Sequence, residues 1–329
     1  MNVKVIGGQV LSGEVFPSGS KNSAVHLIPC TLIFREKIIL ENIPEITDVE
    51  RLLDILQKIG SKISWDRQKC ILEIDNSTIS FKSLTESDLG NMKGVSLLWG
   101  ALLSRFGKVD FRDLPGGCTL GLRPLEPIYK VFRDLGVRVM QKDGGVLMTS
   151  DKAKAGEVWL TEMSPTATTN LIMLASSITG KTKIIGAASE PQVQDVCNFL
   201  VKAGADIKGI GSSVLEIEGG KKLKPVSYKL LSDHYEIATF LALGALTGGE
   251  VKVHGGGRGS AQRHLPFVQH DRLFGQAQDG RHIVTDEEHR APFMRHVAHL
   301  AQAFALELGI AHSQHLIDDQ DLGLQVRRH

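Results

Sequence analysis

The sequence predicts an α/β fold assembled from one unit written three times, and three observations carry that expectation. Strongly apolar stretches at Ser20 to Phe34, Met92 to Arg105 and Ala167 to Thr179 each precede a short strand-like run. Each run leads to an amphipathic helical pattern that stops at a glycine, Gly60, Gly136 or Gly204, the residue that best adopts a left-handed helix cap. Behind each glycine stand two more short strand patterns joined by a turn. Self-similarity on this scale outweighs any local propensity.

The elements follow in order. In the first copy the apolar helix leads to a strand over Lys37 to Glu41, a helix opening at Asp48 and closing at Gly60, and strands at Lys62 to Trp65 and Ile71 to Ile74. The second has strand Lys108 to Phe111, helix Glu126 to Leu135, and strands Val137 to Gln141 and Val146 to Thr149. The third continues through Thr182 to Ile185, helix Val193 to Ala203, and strands Ala205 to Lys208 and Val214 to Ile217. A fourth copy begins with the helix Tyr235 to Thr247, turns at Gly248 and Gly249, and enters a strand from Glu250 to His254, after which the pattern fails.

Two segments carry chemistry. Pro115-Gly116-Gly117-Cys118-Thr119-Leu120-Gly121-Leu122-Arg123-Pro124 places a thiol in a glycine-lined loop five residues before a guanidinium. Glycines let backbone approach a ligand, and an arginine both binds phosphate and lowers a thiol pKa. The same residues also suit a tight turn around a buried cysteine. Ser18-Gly19-Ser20-Lys21-Asn22-Ser23 stands before the first apolar helix, so Lys21 and Asn22 fall at a helix N-terminus, where the macrodipole attracts anions. A serine cap beside a solvated lysine is the alternative there.

Together the two segments resemble the enolpyruvyl transferase family, in particular its members acting on UDP-N-acetylglucosamine. Their signatures, G-[AS]-K-N and P-G-G-C-[ST]-x-G-x-R-P, correspond to Gly19 to Asn22 and Pro115 to Pro124. Similarity continues through Ala187 to Pro191, Asp195 to Phe199 and Asp233 to Gly248, covering about residues 1–254. The resemblance implies an inside-out α/β barrel of three repeated units over residues 18–230. Residues 1–17 with 231–254 would be a fragment of the family's other domain, leaving that second domain truncated.

It also implies an activity: addition of the sugar 3′-hydroxyl to phosphoenolpyruvate, protonation of the adduct and loss of phosphate. Cys118 takes the place of the acid, a role its reference pKa of about 8.5 suits, and of a nucleophile open to epoxides such as fosfomycin. Lys21 and Arg123 would hold phosphate and carboxylate, Asn22 would orient the intermediate, and Lys93 stands where arginine is usual. Nucleotide recognition would fall to Arg123, Pro124, Leu125, Glu126 and Pro127, and to the loop Glu162, Met163, Ser164, Pro165 and Thr166. That loop departs from the family: proline removes a backbone donor and Glu162 replaces a basic residue, both unfavourable for a diphosphate. The family's catalytic aspartate and several cleft arginines match nothing in the tail, which implies impaired turnover. Two other readings stay open: a non-catalytic module retaining phosphate or uridine-nucleotide affinity, and an EPSP synthase-like transferase, which the Cys118 motif disfavours.

Composition bounds the rest. With 329 residues, 42% hydrophobic content and net charge +1, the chain reads as a soluble protein of about two domains, with no basic patch for nucleic acid. No segment reads as a signal peptide or membrane span, and a cytoplasmic location is expected. Cys30, Cys70, Cys118 and Cys197 lack metal-ligand spacing and read as free thiols, and no motif calls for a metal, flavin or nicotinamide cofactor. Residues 255–329 contain no Lys, Asn, Cys, Trp or Tyr yet hold nine of the twelve histidines, a shift that reads as unrelated sequence, partly disordered or marginally helical.

Overall fold

A computed structural model describes residues 7–80, 95–111, 125–142, 145–255 and 263–264. The chain divides into two compact units, Gly19–Leu231 and the combination of Met1–Ser18 with Ser232–His329.

The larger unit contains the three repeats. Repeat one is α1 (Lys21–Cys30), β2 (Lys37–Glu41), α2 (Thr47–Lys58), β3 (Lys62–Asp66) and β4 (Ile71–Asp75). Repeat two is α3 (Trp99–Phe106), β5 (Lys108–Phe111), α4 (Glu126–Asp134), β6 (Arg138–Lys142) and β7 (Gly145–Thr149). Repeat three is α5 (Pro165–Ser177), β9 (Gly180–Ile185), α6 (Pro191–Lys202), β10 (Asp206–Lys208) and β11 (Val214–Gly219). In every repeat the last strand lies between the other two and pairs antiparallel with both. The expected glycines close the outer helices, with φ of 102° at Gly60, 86° at Gly136 and 104° at Gly204.

Two short strands missing from the sequence expectation link the repeats. β8 (Glu157–Trp159) leaves repeat two and pairs parallel with β9 of repeat three, while β12 (Ser227–Lys229) leaves repeat three and returns to pair parallel with β2 of repeat one. Repeats two and three therefore each hand an exit strand to the sheet of another repeat, and β12 ties the last repeat to the first. The expected barrel is not continuous: among the described residues the unit holds three separate sheets that share a helical core. Among the described residues, short parallel exchanges of three residues join repeat two to three and repeat three to one without extending the antiparallel ladders into a closed wall.

The core explains the two helix types. Every residue of α5 from Ala167 to Ser176 is buried, whereas α2 buries only the face of Val49, Leu52, Leu53, Ile55 and Leu56. Leu171, Ile172, Met173 and Leu174 each contribute about 1.5–3 kcal/mol by leaving water. Where α3 crosses α5, a Cβ on Gly100 would stand 2.3 Å from the Asn170 carbonyl oxygen, so only glycine permits the approach. Asn170 secures the crossing: its Oδ1 accepts from Gly100 N at 2.6 Å and its Nδ2 donates to Ser96 O and Thr166 O, both at 2.9 Å. Arg105, at the end of α3, donates to the carbonyls of Leu32, Phe34 and Asn76 and so pins repeat two to repeat one. The first helix is shorter than its apolar run, because Pro29 precedes a tightening into a 3-10 turn at Thr31–Ile33.

The smaller unit is described over α7 (His234–Thr247), β1 (Gly13–Val15), β13 (Val251–Gly255) and β14 (Arg263–His264). β1 pairs parallel with β13, the same exchange seen between repeats. β14 lies beyond the expected junction at residue 255 and pairs antiparallel with the end of β13. The remaining tail lies outside the described residues. Among the described residues no helix is long and apolar enough to cross a membrane.

Candidate active site

The N-terminus of α1 is built as the sequence expects. Ser20 caps it, its Oγ accepting from Ser23 N at 3.3 Å. Lys21 follows and pairs with Asp48 in the first turn of α2, Nζ to Oδ2 2.5 Å, both side chains about half exposed. Exposed pairs are worth about 0–1 kcal/mol, so a ligand anion can compete for Lys21. Asn22 is half-buried, and its carbonyl accepts from Nδ1 of buried His26 at 2.7 Å. Burial holds His26 below its ordinary pKa, so the ring is neutral with its proton on Nδ1.

Just before that helix, Gly19 meets the backbone of Asn42 so closely that a Cβ would stand 1.7 Å from the Asn42 oxygen. Ser20 N donates to Leu231 O at 2.8 Å, and Asn42 Nδ2 donates to Leu230 O at 3.2 Å. The segment carrying Leu230 and Leu231 is itself held by Asp195 of α6, whose carboxylate accepts from Tyr228 Oη at 2.5 Å and from Leu231 N at 3.2 Å. Asp195 is fully buried; that burial raises its pKa above the ordinary carboxylate value, although Tyr228, the Ser23 hydroxyl and the Leu231 amide oppose the shift. Burial and the Asp195 charge push the Tyr228 phenol far above its usual value.

The expected nucleotide residues open two other helices. Leu125 is the cap residue of α4 without a side-chain capping bond, Pro127 sits in the first turn, and Glu126 is ion-paired with Arg133 one face down the same helix. Ser164 caps α5, its Oγ accepting from Ala167 N at 3.3 Å, with Pro165 as the first helical residue and Thr166 half-buried behind it. Proline costs the helix nothing at that position, since its missing N–H has no partner within the helix. Glu162 and Met163 are exposed. Lys93, Cys118, Arg123 and Pro124 lie outside the described residues. The other thiols are free; burial pushes Cys197 up to about 12 and Cys30 higher still, which leaves both unreactive. No group of three or more His, Cys, Asp or Glu side chains among the described residues is placed to hold a metal.

Sequence reasoning missed Asp48 as the partner of Lys21 and the Asp195–Tyr228 pair, which joins residues 33 positions apart with no local signal. His26 carried a signal: it lies four residues beyond Asn22, within reach of that carbonyl on one helix face.

Residues 5–317 match the family described as EPSP synthase (3-phosphoshikimate 1-carboxyvinyltransferase). The chain belongs to that family. Among curated relatives it is 39% identical over 266 residues to UDP-N-acetylglucosamine 1-carboxyvinyltransferase of Borrelia garinii subsp. bavariensis, covering 81% of this chain and 61% of the relative. It is 35% identical over 249 residues to UDP-N-acetylglucosamine 1-carboxyvinyltransferase 2 of Bacillus subtilis, covering 76% and 57%. The chain thus spans about three fifths of the length of these relatives. The enolpyruvyl transferase NikO from Streptomyces tendae shares the fold at TM-score 0.61 and 23% identity, over 75% of this chain and 58% of that one. EPSP synthase from Acinetobacter baumannii does so at TM-score 0.59 and 20% identity, over 75% and 56%.

Proposed function

We propose that this EPSP synthase family member transfers the enolpyruvyl group of phosphoenolpyruvate to the 3′-hydroxyl of UDP-N-acetylglucosamine, the first committed step of peptidoglycan precursor synthesis, in the cytoplasm. The observation that carries the reading is the 35–39% identity to relatives named for that reaction. The Pro115 to Pro124 loop and the capped Lys21–Asn22 turn supply residue types the chemistry needs.

The sugar hydroxyl gives its proton to solvent as its oxygen bonds to C2 of phosphoenolpyruvate and C3 takes a proton from Cys118. The C2–O bond to phosphate then breaks and a C3 proton returns to the Cys118 thiolate, restoring the alkene and releasing phosphate. Lys21 and Arg123 neutralise the phosphate and carboxylate through both steps, and Asn22 orients the tetrahedral adduct. Lys93 adds charge near the anion. Leu125, Glu126 and Pro127 and the Glu162–Thr166 loop receive the nucleotide, with Glu162 and Pro165 lowering affinity for its diphosphate. No cofactor takes part.

Phosphate release from phosphoenolpyruvate in the presence of UDP-N-acetylglucosamine tests this, run beside Cys118→Ala with mass spectrometry of the protein. Release abolished by the substitution is the expected result. A Cys118 adduct without release points to a binding module, and neither release nor adduct removes the reading.

A further inference from the structure

A carboxylate buried without a cation is costly, and Asp195 has no cationic partner among the described residues; Tyr228 Oη and Leu231 N, both on the segment leaving repeat three, donate to it instead, and the Ser23 hydroxyl of α1 also stabilises its charge. That segment is the neighbour of the α1 turn. Leu231, whose N–H Asp195 holds, offers its own carbonyl to Ser20 N at 2.8 Å, and Ser20 in turn caps the amide of Ser23. Asn42 grips Leu230 O from the other side, and the close pass of Gly19 over Asn42 leaves the turn little room to shift. Tyr228 is fixed by the edge of Phe199, on the same helix as Asp195, with ring centroids 5.5 Å apart. A path of direct contacts therefore runs from Asp195 to the residue that immediately precedes Lys21.

We propose that Asp195 is a positioning residue for the anion end of the site: by holding Leu231 it sets the Gly19–Asn22 turn and thereby the place of Lys21 and Asn22. This rests on the reading of Lys21 as the cation that receives phosphoenolpyruvate. The nucleotide end, at the starts of α4 and α5, has no part in this path and is expected to be indifferent to it.

The test uses the full chain, phosphoenolpyruvate and UDP-N-acetylglucosamine as separate probes, and amide exchange of residues 19–23. Asp195→Ala loses both bonds and is expected to weaken phosphoenolpyruvate binding about tenfold, the scale of one or two lost hydrogen bonds, with UDP-N-acetylglucosamine changed less than about twofold. Asp195→Asn is the rescue: its amide oxygen can accept from Leu231 N while its NH2 donates to Tyr228 Oη, and affinity should return to near wild type. Tyr228→Phe spares the Leu231 bond and should lower stability while leaving phosphoenolpyruvate binding intact. If Asp195→Ala does not fold, Asp195→Ser, too short to reach Leu231, replaces it with the same expectations. Equal loss for both ligands, no loss for either, or no recovery in Asp195→Asn overturns the proposal. If the wild type binds no phosphoenolpyruvate, the functional reading fails separately, and exchange decides for Asp195. Ser20 and Ser23 amides exchanging about tenfold faster in Asp195→Ala but not in Asp195→Asn sustain its hold on the turn, and unchanged protection refutes it.

Discussion

Helices α1 and α5 begin alike and are secured differently. Each opens behind a serine whose hydroxyl caps the amide three residues on, and each carries residues expected to meet substrate. The start of α1 is tied from outside: Gly19 wedged on Asn42, Ser20 bonded to Leu231, and Lys21 paired with Asp48. The start of α5 has fewer such ties among the described residues: Thr168 Oγ1 accepts from Ala188 N at 3.0 Å, Pro165 fixes the first turn, and Glu162 and Met163 are in solvent. What holds α5 lies in its middle, at Asn170. On the proposed function, a cation that meets a small anion needs a fixed address, whereas a loop that receives a long nucleotide can adjust.

The sharpest way to break this contrast is Asn170→Ala, which takes the acceptor from the Gly100 amide and a donor from each of the Ser96 and Thr166 carbonyls. A loss of about 2–4 kcal/mol in denaturant unfolding is expected, and a loss under about 1 kcal/mol would mean that α5 is held elsewhere. Lys21→Gln should weaken phosphoenolpyruvate binding by about tenfold or more in calorimetry while leaving α1 capped and the melting temperature nearly unchanged. Glu162→Lys, restoring a basic residue to the nucleotide loop, should tighten UDP-N-acetylglucosamine binding about threefold to tenfold, and the gain should shrink as salt is raised. Asp48→Asn frees Lys21 from its exposed partner and should tighten phosphoenolpyruvate binding by up to about fivefold; weaker binding would make Asp48 a support for Lys21 instead of a competitor.

Smallest is the pH effect of His26. Its folded pKa is below the ordinary value, so as pH falls below about 6.5 the unfolded chain takes up a proton the folded chain refuses, and stability declines. Asp195 has the opposite shift, a raised carboxyl pKa, so its contribution falls as pH rises through and above the ordinary carboxylate value. His26→Gln should flatten the acid side of the stability profile in chemical denaturation, and an unchanged acid slope would assign that loss to other groups.

The repeat was legible because its signals are local. Apolar runs, amphipathic faces and glycine stops at Gly60, Gly136 and Gly204 are read within a dozen residues of one another, and the serine cap at Ser20 sits beside its helix. The exit strands β8 and β12 were not legible, since three residues carry no period and their partners are distant in sequence or selected only by folding. The same holds for the site. Lys21 and Asn22 announce themselves at a helix start, whereas Asp48 and Asp195 reach the α1 turn only through tertiary contacts 27 positions and more away. Pro29 shortened the first helix, yet the apolar run before it gave no hint of where the regular helix ends.

One crossed titration tests the separation of the two ends most directly: calorimetric affinities of Lys21→Gln and Glu162→Lys for phosphoenolpyruvate and for UDP-N-acetylglucosamine. Lys21→Gln changing only the first ligand and Glu162→Lys only the second is the predicted result. Either substitution moving both affinities by the same factor would contradict a fixed anion end beside an independent nucleotide loop.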